Sequence, residues 1–346
     1  MKLGLVLGYS GKRVQIDMEP VLEAERLGFD SVWTAEAYGS DAVSTAAWVL
    51  SRTTRIRVGT GIMQMPARTP ACAAGTAITL SQLSGGRFIL GLGPSGPQVV
   101  EGWHGVAYGK PLTRTREYIQ IIRKIVAREE AVEFDGEIYQ LPYRGPDATG
   151  LGKPLKSIVH ADPGLRIFTA SISPPGLRCA AEVADGVIPV WMNPERFDLF
   201  EKPLREGFHA AGGGKALGDF EIAPFTSVVL GDDLEKCRLP VKGMLALYIG
   251  GMGARDKNFY NDFARRLGYG EAAARIQDLY LAGKKLEAMA AVPDSLVDEV
   301  ALVGPADRIR ARLVAWREAG RKRHVGSLLA AGASVPAMRL LAEELL

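Results

Sequence analysis

Residues Val58-Gly59-Thr60-Gly61-Ile62-Met63-Gln64-Met65-Pro66-Ala67-Arg68-Thr69-Pro70 decide how this chain is read. Ile56 and Val58 open an apolar run that rises into two glycines. A polar turn follows, and an Ala-rich helix signal begins at Pro70. That order is expected of a buried parallel strand delivering its loop to a ligand at the strand's C-terminal end. Gly59 and Gly61 lack a Cβ and would let the backbone approach that ligand closely.

Strand and helix signals alternate outward from this stretch. Leu3 to Leu7 is a short apolar run, and residues 15–28 form an amphipathic segment closed by Gly28. Ser31 to Thr34 is the second strand, and Asp41 can cap the helix that carries Trp48 and Leu50. Arg55 to Met63 is the third strand, followed by a helix from Pro70 to Leu83; Arg87 to Leu92 is the fourth. Residues 113–128 place Tyr118, Ile121, Ile122 and Ile125 on one helical face. Val132 to Tyr139 alternates around Asp135-Gly136, a hairpin signal, and residues 142–164 read as a long loop rich in Pro and Gly. Strands five to eight are Leu165–Ala170, Gly186–Val190, Ile222–Leu230 and Val325–Leu329. Helices are expected over 175–184 and 305–319, with a helical insertion over about 240–300 and a closing helix at the C-terminus. Eight strand signals separated by helices predict an α/β fold, a (β/α)8 barrel forming a single domain over residues 1–346, with a doubly wound sheet as the runner-up.

Composition agrees. The 346 residues are 47% hydrophobic and 23% charged, enough apolar mass for one large core in a soluble globular protein. The net charge of +3 is small and its basic residues are scattered, which gives nucleic-acid binding no basic face. Three cysteines, Cys72, Cys179 and Cys237, fit no metal motif and point to a reducing cytoplasm. No apolar run is long enough to span a bilayer, and no metal site is expected.

Ala24-Glu25-Arg26-Leu27-Gly28-Phe29-Asp30-Ser31-Val32-Trp33, Gly59-Thr60-Gly61-Ile62 and Leu83-Ser84-Gly85-Gly86-Arg87-Phe88-Ile89-Leu90-Gly91-Leu92-Gly93 follow one another in the order of a known family. Ala181-Glu182-Val183-Ala184-Asp185-Gly186 and Val303-Gly304-Pro305 continue the pattern. Across nearly the whole chain these segments resemble the luciferase-like superfamily, and within it the actinobacterial oxidoreductases that use the deazaflavin coenzyme F420. The likeness is closest at Ser95-Gly96-Pro97-Gln98-Val99-Val100-Glu101-Gly102-Trp103 and at Leu247-Tyr248-Ile249-Gly250-Gly251-Met252-Gly253-Ala254. The resemblance implies a planar tricyclic cofactor at the barrel mouth, F420 or alternatively FMN, backed by a non-prolyl cis peptide at Gly61-Ile62. It implies an F420H2-dependent reductase that passes a hydride to a small organic substrate. The alternatives are an FMN-dependent monooxygenase and a relative that has lost its cofactor. A homodimer is implied as well, pairing through helices within residues 40–83.

The same resemblance distributes roles. Glu36, just after strand two, is the candidate catalytic carboxylate, while Asp41 reads first as a helix cap. The family's sugar-phosphate dehydrogenases carry a His after the matching acid, where this chain has Ala37, and an acid after strand four, where it has Gly96 and Pro97. Both departures argue against that activity. His104 is a candidate for substrate contact or proton transfer, with a purely structural histidine as the alternative. Gly61, Ile62, Gln64, Gly93, Ser95 and Gly96 are expected along the cofactor ring, although a plain Gly-Pro turn would also explain the last two. Ser171, Ser173 and Gly176 open a helix whose free N–H groups would favour a phosphate, with Gly186 and Val187 closing that region from strand six. Arg68, Trp103 and Tyr248 are candidate substrate contacts; for Arg68 an ordinary surface arginine is the alternative.

Overall fold

The computed structural model describes residues 1–162, 164–255 and 257–346. Among them, eight parallel strands form a ring: Lys2–Val6, Ser31–Thr34, Arg57–Thr60, Phe88–Gly93, Arg166–Ala170, Gly186–Ile188, the broken strand Glu221–Ile222 with Phe225–Leu230, and Ser327–Ala331. The seventh strand closes the ring although Pro224 interrupts it. Ala223 and Phe225 donate to Val187 and Pro189 of strand six, while Pro224 accepts from Leu329 of strand eight. Lys2 is in register with Ser327, joining the last strand to the first. A doubly wound sheet has two open edges and is thereby excluded.

Local chemistry fixes the helices between these strands. Asp17 caps Met18–Leu27, and Gly28, at φ 87°, ends it in the left-handed conformation that glycine tolerates. Thr69 accepts from the Cys72 amide to start Pro70–Leu83, and Asp41 caps Ala42–Leu50 through the Val43 and Ser44 amides. Most of the apolar core lies between strands and helices, as in any barrel of this type.

A second, separate cluster fills the barrel itself: Trp33, Ile89, Phe168, Ile188, Ala223 and Leu329. Trp33 and Phe168 meet edge to face at 5.6 Å, and the Trp33 indole N–H donates to Ser31 Oγ at 2.9 Å. These rings need space. A Cβ at Gly59 would stand 2.6 Å from the Trp33 ring, and one at Gly186 would stand 2.3 Å from Phe168. Gly59 therefore makes room for a neighbouring side chain, which corrects its expected role as a point of ligand approach.

Strand three is interrupted where the sequence reading had it continuous. It pairs with strand four as far as Gly59–Ile89 and resumes at Met63–Leu92, four steps on one strand against three on the other. The extra residue is a bulge. Thr60 Oγ1 fills the lost pairing by donating to Gly91 O at 2.7 Å and accepting from Gly91 N at 2.9 Å. The Gly61–Ile62 peptide within the bulge is cis.

Further boundaries move. The hairpin pairs Phe134–Asp135 with Gln140–Leu141, so its turn lies beyond Asp135. The insertion begins at Leu234 and comprises five helices among the described residues, Leu234–Gly251, Phe259–Arg266, Gly270–Leu281, Lys285–Ala290 and Asp294–Val300. A short strand, Ala301–Gly304, follows it and pairs only with Ser227–Leu230, outside the ring. The helix Asp198–Ala211 contains Pro203, which masks its helical signal in the sequence. Among the described residues no helix is long and apolar enough to cross a membrane.

Candidate active site at the barrel mouth

In a closed parallel barrel the strand C-termini and their loops form one face, and there the chain gathers its candidate chemistry. The interior cluster reaches that face incompletely covered. Val6, Ile62 and Ala170, from three strand ends, and Phe225, just past the break in strand seven, are half-buried and pack on it. They make an apolar floor. Gly93 leaves space for Ile62, since a Cβ there would stand 2.8 Å from the Ile62 side chain. Gly61 does the same for Phe225, with a Cβ distance of 2.6 Å. Both glycines thus shape the floor through their neighbours. Two non-glycine residues beside it adopt left-handed backbone, Ser95 after strand four at φ 60° and Trp191 after strand six at φ 56°. Such conformations concentrate at functional sites.

One side of the floor is walled by a polar network. Arg68 donates to both oxygens of Glu36, at 2.8 and 3.0 Å, and to Asp41 at 3.3 Å. The Glu36 side chain is 7% exposed and that of Arg68 17%. Glu36 also accepts from the Ala42 amide at 3.0 Å and the Gln64 amide at 3.3 Å. Burial opposes the Arg68 charge, yet Glu36 and Asp41 hold its pKa above the ordinary guanidinium value. Burial likewise works against the Asp41 charge. Ser44, the Val43 amide and the Arg68 charge outweigh it and hold the carboxyl below the usual range. The two residues expected to act on substrate, Glu36 and Arg68, are therefore engaged with each other, and each carboxylate oxygen of Glu36 already accepts two hydrogen bonds.

Gln64, only 1% exposed, connects this pair to the strand-four loop. Its Nε2 donates to Ala37 O at 2.7 Å, and its Oε1 lies 2.8 Å from His104 Nε2. His104 follows the short helix Pro97–Gly102 and is half-buried. Trp103 beside it is 65% exposed.

A second cluster is aromatic. Tyr248, on the insertion helix Leu234–Gly251, meets Trp191 edge to face at 6.0 Å and Tyr260 at 4.7 Å. Its phenol also faces those of Tyr9 and Tyr38, and burial pushes its pKa up. Tyr248 was legible in the sequence. Tyr9, Tyr260 and Trp191 were not, since only the fold brings together the loops of Tyr9 and Trp191 and the helix Phe259–Arg266 that carries Tyr260.

The strand-five turn departs from expectation. Pro174 and Pro175 occupy the first turn of Pro174–Val183 and have no N–H, and the Gly176 amide is taken by Ser173 Oγ at 3.2 Å. Leu177 N–H is bonded to Ser173 O. Ser171 Oγ occupies the space above Gly176, 2.0 Å from where a Cβ would be. Residues 174–177 thus offer an anion no free amide. Its donors are the Ser171 and Ser173 hydroxyls and Arg266, whose Nη2 donates to Ile172 O at 2.6 Å. Burial lowers the Arg266 pKa, and the Asp262 charge only partly offsets it. Gly186 and Val187 fall outside the site altogether. Gly186 pairs with Glu221 at the opposite, N-terminal end of the barrel, and the Val187 side chain is fully buried in the core between strands and helices.

Comparison with known proteins places this arrangement. A match to the luciferase-like monooxygenase family spans residues 8–323. The chain is 46% identical over 324 residues, 92% of its length and 93% of the relative's, to the Mycobacterium tuberculosis protein named "Putative coenzyme F420-dependent oxidoreductase Rv3520c". Among solved structures, the coenzyme F420-dependent tetrahydromethanopterin reductase of Methanopyrus kandleri superposes with a TM-score of 0.77 at 22% identity, covering 99% of this chain and 97% of that one. An F420-dependent secondary alcohol dehydrogenase, solved with an F420-acetone adduct, gives 0.74 at 16% identity, covering 99% and 98%. At these identities the two structures speak for the fold. The chain belongs to the luciferase-like monooxygenase family.

Proposed function

We propose that this protein is a coenzyme F420-dependent oxidoreductase, working as a reductase on a small organic substrate within a single catalytic domain. The observation that carries the reading is the 46% identity, spread over 92% of the chain, to a relative named for that cofactor. The mouth fits the group. Val6, Ile62, Ala170 and Phe225 present an apolar surface of the kind a flat ring system covers. Gln64, Ser95 and Gly96 border it, and Ser171, Ser173 and Arg266 supply donors for an acidic arm at the strand-five turn. When bound, the deazaflavin supplies two-electron hydride chemistry with little reactivity toward oxygen.

The chain's own residues would then orient the substrate, exclude water and manage the proton. Trp103, which is exposed, and Tyr248, which packs on Trp191, would cover a substrate lying over the ring. His104 is the imidazole available for proton transfer. Glu36 and Arg68 act as positioning residues, because their hydrogen bonds are spent on each other and on the loop backbone. The proposed assembly is a homodimer through the outer faces of Ala42–Leu50 and Pro70–Leu83.

Titration of the purified protein with oxidised F420 and with FMN, followed by absorbance and fluorescence, tests the reading. Tighter binding of the deazaflavin is expected. Micromolar or better FMN binding with no deazaflavin response would reverse the assignment in favour of a flavin monooxygenase, and binding of neither would indicate a relative that has lost its cofactor.

A further inference from the structure

Gln64 uses both ends of its side-chain amide. Its Nε2 donates to the carbonyl of Ala37 at 2.7 Å, and its Oε1 stands 2.8 Å from His104 Nε2. A backbone carbonyl can only accept. The Ala37 carbonyl therefore dictates which end of the amide is nitrogen, and the opposite end, facing His104, must be oxygen. That oxygen can only accept as well, so His104 Nε2 must carry a hydrogen. In neutral His104 the other nitrogen, Nδ1, then holds the lone pair.

The lock is rigidly mounted. Gln64 is buried directly after the strand-three bulge, and its backbone N–H donates to Glu36 Oε1, which Arg68 grips from the other side. Two residues earlier Ile62 forms part of the apolar floor. His104 is thus tied to the floor by a short, fully bonded path. The other three histidines stand elsewhere. His160 lies in the loop before strand five, His209 on the helix Asp198–Ala211, and His324 in the turn leading into strand eight, stacked on Phe197 at 3.7 Å.

We propose that Gln64 is a positioning residue that locks His104 as the Nε2–H tautomer and so makes Nδ1 the nitrogen that gains and loses the proton at the mouth. The use of that proton rests on the reductase reading above. As hydride from the reduced carrier adds to the carbon of a C=C, C=N or C=O bond, the Nδ1–H bond of the imidazolium breaks and the substrate's other atom takes the proton. The substrate gains two electrons and two hydrogens, one as the carrier's hydride and one as the His104 proton; the carrier, oxidised by two electrons, would release its ring N–H proton to solvent, and neutral His104 would recover a proton from solvent with Nε2–H intact.

The test is nitrogen-detected proton-correlation spectroscopy of protein labelled with 15N-histidine, at a pH where free imidazole is neutral. His104→Gln assigns the resonance among the four histidines. His104 is expected to show a protonated, pyrrole-like Nε2 and an unprotonated, pyridine-like Nδ1, with Nδ1 the nitrogen whose shift changes most on acid titration. In Gln64→Met the resonance should move toward the mixed tautomers of free histidine. A protonated Nδ1 in the unmodified protein overturns the proposal whether or not the variant folds, and so does an unmoved tautomer in folded Gln64→Met. F420 titrated into the same labelled sample separates the two claims. Absence of binding would sink the reductase reading and leave the tautomer result standing.

Discussion

Arg68 holds Glu36 by both carboxylate oxygens, at 2.8 and 3.0 Å, across the gap between the loops that follow strands two and three. The carboxylate that the resemblance puts forward for catalysis thus has each oxygen already accepting two hydrogen bonds. Removing one partner of a buried pair strands the other's charge and costs about 3–5 kcal/mol, whereas replacing both with apolar residues is often close to neutral. Glu36→Gln, which keeps the shape but not the charge, is expected to lower unfolding stability by about 3 kcal/mol, the lower end of that range, because Asp41 still faces Arg68. The double variant Glu36→Met with Arg68→Met should recover most of the loss. Urea unfolding of the two variants checks this. Full stability in Glu36→Gln with abolished turnover would return Glu36 to a catalytic role.

Gly59 and Gly93 separate interior packing from floor shape. A Cβ at Gly59 would press into Trp33 within the barrel, at 2.6 Å, while one at Gly93 would press into Ile62 at the floor, at 2.8 Å. Overpacking of a filled interior costs about 1–3 kcal/mol. Gly59→Ala should therefore show that loss in thermal unfolding together with altered tryptophan fluorescence. Gly93→Ala should weaken F420 binding by tenfold or more. Equal effects of the two variants on cofactor binding would contradict the division.

The barrel was legible because its strands obey short-range rules: apolar runs such as Leu3–Leu7 end at glycine, and helices such as Pro70–Leu83 carry their own caps. What escaped were features set by partners distant in sequence. The helix Asp198–Ala211 packs so closely on its neighbour that a Cβ at Gly207 would stand 2.2 Å from Arg178 O, and neither that glycine nor Pro203 resembles a helical signal. The candidate site divided in the same way. Ile62, Gln64, His104 and Tyr248 were named through motif order; Ile62 packs on the interior cluster, Gln64 Oε1 stands 2.8 Å from His104 Nε2, and Tyr248 packs on Trp191. Gly186 and Val187 were misplaced because a motif does not say at which end of a strand it lies. The exhausted helix start at Ser173 required knowing that its one remaining early amide, Gly176, was already bonded.

Glu221 sets an acid limit on the fold. At the N-terminal end of the barrel it accepts from Lys2 at 2.9 Å, from Arg166 and from Ser327, so that four strands converge on one carboxylate. Burial alone would raise its pKa. Ser327, Lys2 and Arg166 overcome burial and bring it from 4.5 to about 2. A carboxylate whose pKa is depressed by folding stabilises above its unfolded pKa, and that contribution disappears as pH falls toward the folded value. Up to about 3 kcal/mol should therefore be lost between pH about 4.5 and about 2. Glu221→Gln should be less stable at neutral pH and show a flatter stability profile across that window. Parallel profiles for the two proteins would remove Glu221 from the account.

The outer face of Pro70–Leu83 exposes Ala71, Cys72, Gly75 and Thr79, a narrow strip of small side chains on one side of the helix. On the adjoining helix Ala42–Leu50, Trp48 is exposed with the Arg52 guanidinium over its ring, and Val43 and Ala47 are half-buried. Small residues let a second copy's helix approach closely, and Trp48 offers a large apolar anchor of the kind enriched at interface centres. A Cβ at Gly75 would meet nothing within 4 Å in the isolated chain. Gly75→Arg therefore adds a bulky charge without disturbing the fold, and replacing a helical glycine favours the helix by about 0.5–1 kcal/mol. The unmodified protein is expected to give a dimer mass by light scattering at micromolar concentration. Gly75→Arg should give a monomer mass with an unchanged or slightly raised melting temperature. A monomer mass for the unmodified protein, or an undiminished dimer in Gly75→Arg, would exclude this face as the interface.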